Sequence, residues 1–190
     1  MDHIVHRIVR CTAATIAGKK PATLMNISNA NDGLLDAWDL CKADIFAGSE
    51  IEYYELKRTE KNAIVLFFSR NRLNKVLTRR SVKRFLQGCG YEPGSIEYAL
   101  EVLSQRYAVS GCPPEIGIFL GIPLKDVMGF MGLSSLENTT CGMWRVYGNP
   151  AASERMMEEY RSAKSAISKR LFAGEDPASI IRGGGIESFR

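Results

Sequence analysis

Glu115 has the strongest chemical claim of any residue in the chain. It follows Pro113 and Pro114, which start a helix, so its carboxylate falls in a first turn where the helix dipole favours negative charge. A carboxylate held there can act as a general base or as a ligand at the edge of a pocket. The dipole alone is also a sufficient structural reason for an acid at that place. Cys112 precedes the same helix start, a position that stabilises a thiolate. No histidine follows His6, however, so a Cys–His pair would need the first helix to come alongside, and a structural thiol is the expectation.

Lys19 and Lys20 follow Gly18 in a stretch that ends like a phosphate-binding loop. Ala13 stands where that loop needs its first glycine, so a P-loop is excluded. No Gly-x-Gly-x-x-Gly fingerprint follows any expected strand. His3 and His6 have no clear third ligand, and Cys11, Cys41, Cys89, Cys112 and Cys141 lack the short spacing of zinc sites. No metal is therefore expected and no cofactor is named. The odd, scattered cysteines read as reduced thiols of a cytoplasmic protein. Cys11, on the Ile4 and Ile8 side of its helix, reads as a buried small apolar residue.

Charge is unevenly placed. Between Lys57 and Arg84 ten basic residues face the single acid Glu60, so this segment carries +9 although the whole chain carries +4. Such asymmetry points to anionic partners: a nucleotide, a nucleic acid or an acidic protein. Phe67, Phe68 and Phe85 fall in apolar contexts rather than interleaving with the basic residues, which favours a solvated helix face over a base-stacking platform.

The elements that must position these groups follow from periodicity. Residues 2–17 read as an amphipathic helix through Ile4, Val5, Ile8, Val9, Thr12, Ala13 and Ile16, stopped at Gly18. Ala22 to Ser28 reads as a short extended segment. Asn31 or Asp32 can cap a second helix with Leu34, Trp38, Cys41 and Ile45 on one face. Ile51–Leu56 and Ala63–Ser69 read as strands joined by a polar turn, the second apolar enough to be covered on both faces. Basic helices at about 71–78 and 80–88 follow, then one capped by Ser95. Pro113 to Tyr147 reads as two short apolar helices around a Gly-x-Pro break, a polar link, and a strand. Asn149-Pro150 opens a long helix with Met156, Tyr160, Ala163, Ile167 and Leu171 as its stripe. Asp176-Pro177 starts the last one. The expected fold is α+β: a small, mainly antiparallel sheet of about three strands against seven or eight helices. One domain over 1–182 and a mobile tail over 183–190 are expected, and no apolar run approaches the roughly 18 residues that span a bilayer.

Residues 115–131 also fit the spacing of a helix-turn-helix, with Gly117, Gly121 and Val127 at its small, turn and apolar places. The second helix is wrong for reading bases. Leu124, Val127, Met128, Phe130 and Met131 dominate it, and only Lys125 and Asp126 are polar. A buried helical hairpin explains the pattern better.

Four stretches together carry a family resemblance: Cys11 to Ala22, Gly90-Tyr91, Glu115 to Pro123 with Asp126 to Phe130, and Gly142 to Tyr147. By these the chain resembles domain of unknown function 3793, a family of anaerobic Gram-positive bacteria, over nearly its whole length. The resemblance implies a small cytoplasmic bacterial protein with no established activity; a redox- or iron-related role beside a redox protein partner is its further implication. The chain departs from the family pattern in having Pro114 where relatives have His before the glutamate, Ile122 in place of an aromatic residue, and Ala14 in place of a proline.

The leading expectation is a small-ligand or cofactor site in the 113–147 region, with Lys19, Lys20 and Glu115 at its edge and Trp144 and Tyr147 lining it. Glu115 is the candidate catalytic residue. The competing expectations are a nucleic-acid or phosphate-binding module built from 57–84 and the 115–131 hairpin, and a partner protein for a redox protein. No residue pattern decides whether the chain is an enzyme.

Overall fold

The apolar run at 63–68 sends its side chains alternately into two cores. Ala63, Val65 and Phe67 face one and Leu66 and Phe68 the other, each no more than 2% exposed. This run is the central strand β3 (Asn62–Ser69) of an antiparallel sheet of order β1-β3-β2, with β1 at Ala22–Ser28 and β2 at Ile51–Arg58. A strand buried on both faces has no polar side to show, which explains its unbroken apolar sequence. A bulge between Glu55 and Lys57 interrupts the β2 ladder, and the Leu56 carbonyl there accepts a hydrogen bond from Ser104 Oγ at 2.7 Å.

The computed structural model describes residues 2–30 and 33–183. The cap expected at Asn31 or Asp32 lies outside these residues, and so does the tail expected over 183–190, apart from Gly183.

One face of the sheet is covered by α1 (Asp2–Ile16), α2 (Leu34–Ile45), the C-terminal half of α8 (Ala151–Phe172) and α9 (Pro177–Arg182). Trp38 of α2 is fully buried there, edge-on to Tyr53 and Phe67, and its indole N–H donates to Glu55 Oε1 at 2.9 Å. The other face carries α3 (Arg70–Leu77), α4 (Arg80–Gly88), α5 (Ile96–Ser110), α6 (Ile116–Phe119) and α7 (Leu124–Phe130). A separate two-stranded sheet, β4 (Asn138–Cys141) with β5 (Arg145–Tyr147), lies between α7 and α8 in the chain. Nine helices and two antiparallel sheets among the described residues make this an α+β fold, as expected.

Three local expectations are corrected. Cys11 is exposed, because the buried arc of α1 centres on Ile8, Val9, Thr12 and Ile16 and leaves position 11 just outside it. The polar link before the last strand is itself partly a strand, β4, which forms against β5 although its side chains are mostly exposed. In α8, Met157 is the buried methionine, while Met156 is only half-buried.

Candidate functional site: a cation-walled cleft

The Gly-x-Pro break between α6 and α7 is where the hairpin meets the rest of the molecule. Gly121 has φ +78°, and a Cβ there would stand 2.6 Å from Pro21 Cδ and 2.8 Å from the Tyr160 hydroxyl. Only glycine satisfies both constraints. The turn is thereby pressed against the chain reversal that follows α1 and against the middle of α8, and Tyr160 donates to the Gly121 carbonyl at 3.3 Å.

Beside this junction opens a cleft of about 380 Å³. Lys19, Arg72, Lys75 and Arg79 supply cations to it. Ile118, Ile122, Val76, Val82 and Met156 supply apolar wall, and Tyr160 and Pro21 stand at the junction itself. The volume is within the range of small-molecule sites. The cleft thus joins the 113–131 hairpin to the basic segment, the two stretches that the nucleic-acid or phosphate-binding expectation combines.

The five candidate residues do not form one cluster. Lys19 lines the cleft. Lys20 instead lies over the Tyr160 ring, its ammonium 5.8 Å from the centroid, and burial lowers its pKa to about 8. Tyr160 in turn packs against Trp144, with ring centroids 6.2 Å apart, and burial pushes its hydroxyl up to about 12. Neither Trp144 nor Tyr147 lines the cleft; both are held by Asp126 beside it.

Asp126 is fully enclosed, and its carboxylate accepts four hydrogen bonds. Lys125 Nζ (2.7 Å) and the Tyr147 N–H (2.9 Å) reach Oδ1, while Trp144 Nε1 (2.9 Å) and Ser153 Oγ (2.6 Å) reach Oδ2. Burial alone would raise its pKa, but the bonds from Lys125 and Ser153, with those from Tyr147 and Trp144, outweigh it and hold the group below the ordinary 3.8. One side chain therefore fastens α7, β5 and the start of α8 to each other. The Tyr147 ring also packs so closely on Gly129 that a Cβ could not be placed there. Both polar residues of the would-be recognition helix are engaged in this knot, leaving α7 without a free polar face for bases.

Glu115 lies elsewhere. It is wholly buried, and its Oε1 accepts from Tyr91 Oη at 3.2 Å and from Arg106 Nε. Its Oε2 has no hydrogen-bond partner among the described residues. Arg106 also stands over the Tyr91 ring, 5.9 Å from the centroid. Burial, reinforced by the Glu115 charge, drives the Tyr91 hydroxyl and the Cys89 thiol upward in pKa. Glu115 does not line the cleft, and α6 is a single turn rather than a helix with a developed dipole. Position 114 is exposed while position 115 is enclosed, so the two positions do not present to one cavity.

Sequence reasoning missed Asp126, Tyr160, Arg106 and Ser153. Asp126 had a usable signal, since a lone acid in the apolar segment Leu124–Phe130 must be paired if that segment is buried. Ser153 and Arg106 had none, because their roles depend on which helix faces which.

A family model described as protein of unknown function (DUF3793) matches residues 8–181. The chain belongs to this family. No curated protein and no solved structure matches it. The stretches by which the chain resembles DUF3793 meet in space: Pro21 against Gly121, Tyr91 on Glu115, and Asp126 on Trp144 and Tyr147. Among the described residues of this DUF3793 protein, no helix is long and apolar enough to cross a membrane. No group of three His, Cys, Asp or Glu among them is placed to hold a metal ion.

Proposed function

We propose that this DUF3793 protein binds a small ligand in the cleft between the α1–β1 reversal, α3, the 113–131 hairpin and the first half of α8. One observation carries the reading: the hairpin and the basic segment, far apart in sequence, both line a single concavity of ligand size. The knot around Asp126 supports it, because it makes one wall rigid. Binding costs less when the site is already in place. Glu115 is a buried structural acid in this reading and has no catalytic role. The five unpaired cysteines suit a cytoplasmic setting.

Ala152 is an exposed residue on the cleft lining, so Ala152→Trp obstructs the cleft while leaving the core alone. Protein purified without an affinity-metal step is examined by native mass spectrometry, absorbance and thermal-shift screening. Supporting the reading would be a small molecule that binds the natural chain and is lost in a stably folded Ala152→Trp variant. A ligand retained by that variant, or none in either protein, removes it.

A further inference from the structure

Resting on the reading of the cleft as the ligand site, we infer that its ligand is a phosphate-bearing small organic molecule, with two or more phosphate charges beside an apolar or aromatic body. Lys19, Arg72, Lys75 and Arg79 all line the cleft, and no Asp or Glu does. Among the described residues, none of the four takes part in a salt bridge. Lys57, Lys61, Arg80, Lys83 and Arg84 of the basic segment, outside the cleft, are likewise in no salt bridge among the described residues, so what sets the four apart is that they converge on one concavity. Arg58 and Arg70 of that segment are paired, the first with Asp39 and Glu55 and the second with Glu52 and Glu97. Four like charges around one concavity repel each other, so their arrangement calls for a multivalent anion.

One of these cations also packs on the backbone without a carboxylate partner. Arg72 lies across Gly18, where a Cβ would stand 2.7 Å from its Nη2. Gly18 follows the C-terminus of α1, whose negative character favours a guanidinium there without neutralising it. A planar guanidinium with several donors suits phosphate oxygens. In the same cleft, Ile118, Ile122, Val82, Met156 and Tyr160 add a surface that inorganic phosphate alone would leave uncovered. A nucleoside diphosphate has both parts. A volume of about 380 Å³ fits one such molecule rather than a length of polymer.

Isothermal titration with ADP, inorganic pyrophosphate and a single-stranded oligonucleotide tests the assignment. Four proteins are compared: the natural chain, Ala152→Trp, the double variant Arg72→Gln with Arg79→Gln, and the control Lys57→Gln with Lys61→Gln. The control removes the same charge from exposed residues outside the cleft. ADP should bind the natural chain and the control alike, compete with pyrophosphate, and weaken at least about tenfold in the Arg72/Arg79 variant. Ala152→Trp should weaken ADP more than pyrophosphate. Absence of ADP and pyrophosphate binding overturns the inference, as does an equal loss in the control pair. Tighter binding of the oligonucleotide with a steep salt dependence also overturns it, in favour of nucleic acid. A phosphate-free ligand that is lost in Ala152→Trp overturns the phosphate class alone and leaves the cleft as the site. Phosphate binding that Ala152→Trp does not touch sinks the site itself.

Discussion

Tyr160 donates its hydroxyl to the Gly121 carbonyl across 3.3 Å, joining the middle of α8 to the turn of the α6–α7 hairpin. The hydrogen bond is the weaker half of this junction. Position 121 combines φ +78° with the close approach of Pro21, so an added methyl meets both strain and a clash. Gly121→Ala should lose about 2–4 kcal/mol of stability, and Tyr160→Phe only about 1 kcal/mol. Urea denaturation of the two variants compares them directly. Equal losses would mean that the junction is held by the hydroxyl rather than by the backbone.

Asp126 should make the fold sensitive to acid. Its folded-state pKa lies below the ordinary 3.8, so the native protein binds its proton less readily than the unfolded chain does. The stability it contributes is fully present above that ordinary value and is lost as pH falls through the lower folded one. Asp126→Asn should cost about 3 kcal/mol near neutrality, since four donors lose their carboxylate. It should also flatten the acid limb of a stability–pH curve. An Asn variant that kept the same acid limb would show that another carboxylate is responsible.

Lys20 gives the opposite limb. Burial holds its folded-state pKa near 8, below the ordinary 10.5, so between these values the unfolded chain binds more protons than the native one. Stability should therefore rise with pH across this window, and the rise should disappear in Lys20→Met. Thermal midpoints measured from pH 7 to pH 10.5 for both proteins provide the check. A rise that persists in the variant assigns it to some other group.

Glu115→Gln separates a structural acid from a working one. The change keeps shape and one acceptor but removes the charge facing Arg106, and should cost about 1–3 kcal/mol. Because Glu115 does not line the cleft, affinity for a cleft ligand should stay within about twofold, as for independent sites. A large loss of affinity with unchanged stability would restore Glu115 as a site residue.

Much of the fold is legible in the sequence because local rules and tertiary packing agree there. The apolar run of β3 had to be covered on both faces, and Ser95 and Asp176 cap α5 and α9 through N–H groups of Tyr98 and Ser179. Where legibility fails, the cause is a contact between distant segments. Cys11 stands at the border of a buried arc whose width is set by α2, α8 and α9 rather than by α1. β4 has no apolar alternation, since β5 pairs with it through backbone groups while its side chains remain mostly in solvent. For the candidate site, the region 113–147 was readable and its wiring was not. Gly117 and Gly121, with Val127, suggest a helix-turn-helix by spacing. In the folded chain the glycines at 117, 121 and 129 instead let Val127, Pro21 and Tyr147 approach closely.

The walls of the cleft come from residues 19–21, 72–82, 118–124 and 152–160, four pieces spread over most of the chain. No fragment shorter than this span contains the concavity, so the site comes into being only when α8 docks across the α1–β1 reversal and the hairpin. Ligand occupancy would then report the completion of folding. Any molecule that fills the cleft should slow the undocking of α8, raising the thermal midpoint in proportion to the logarithm of its concentration.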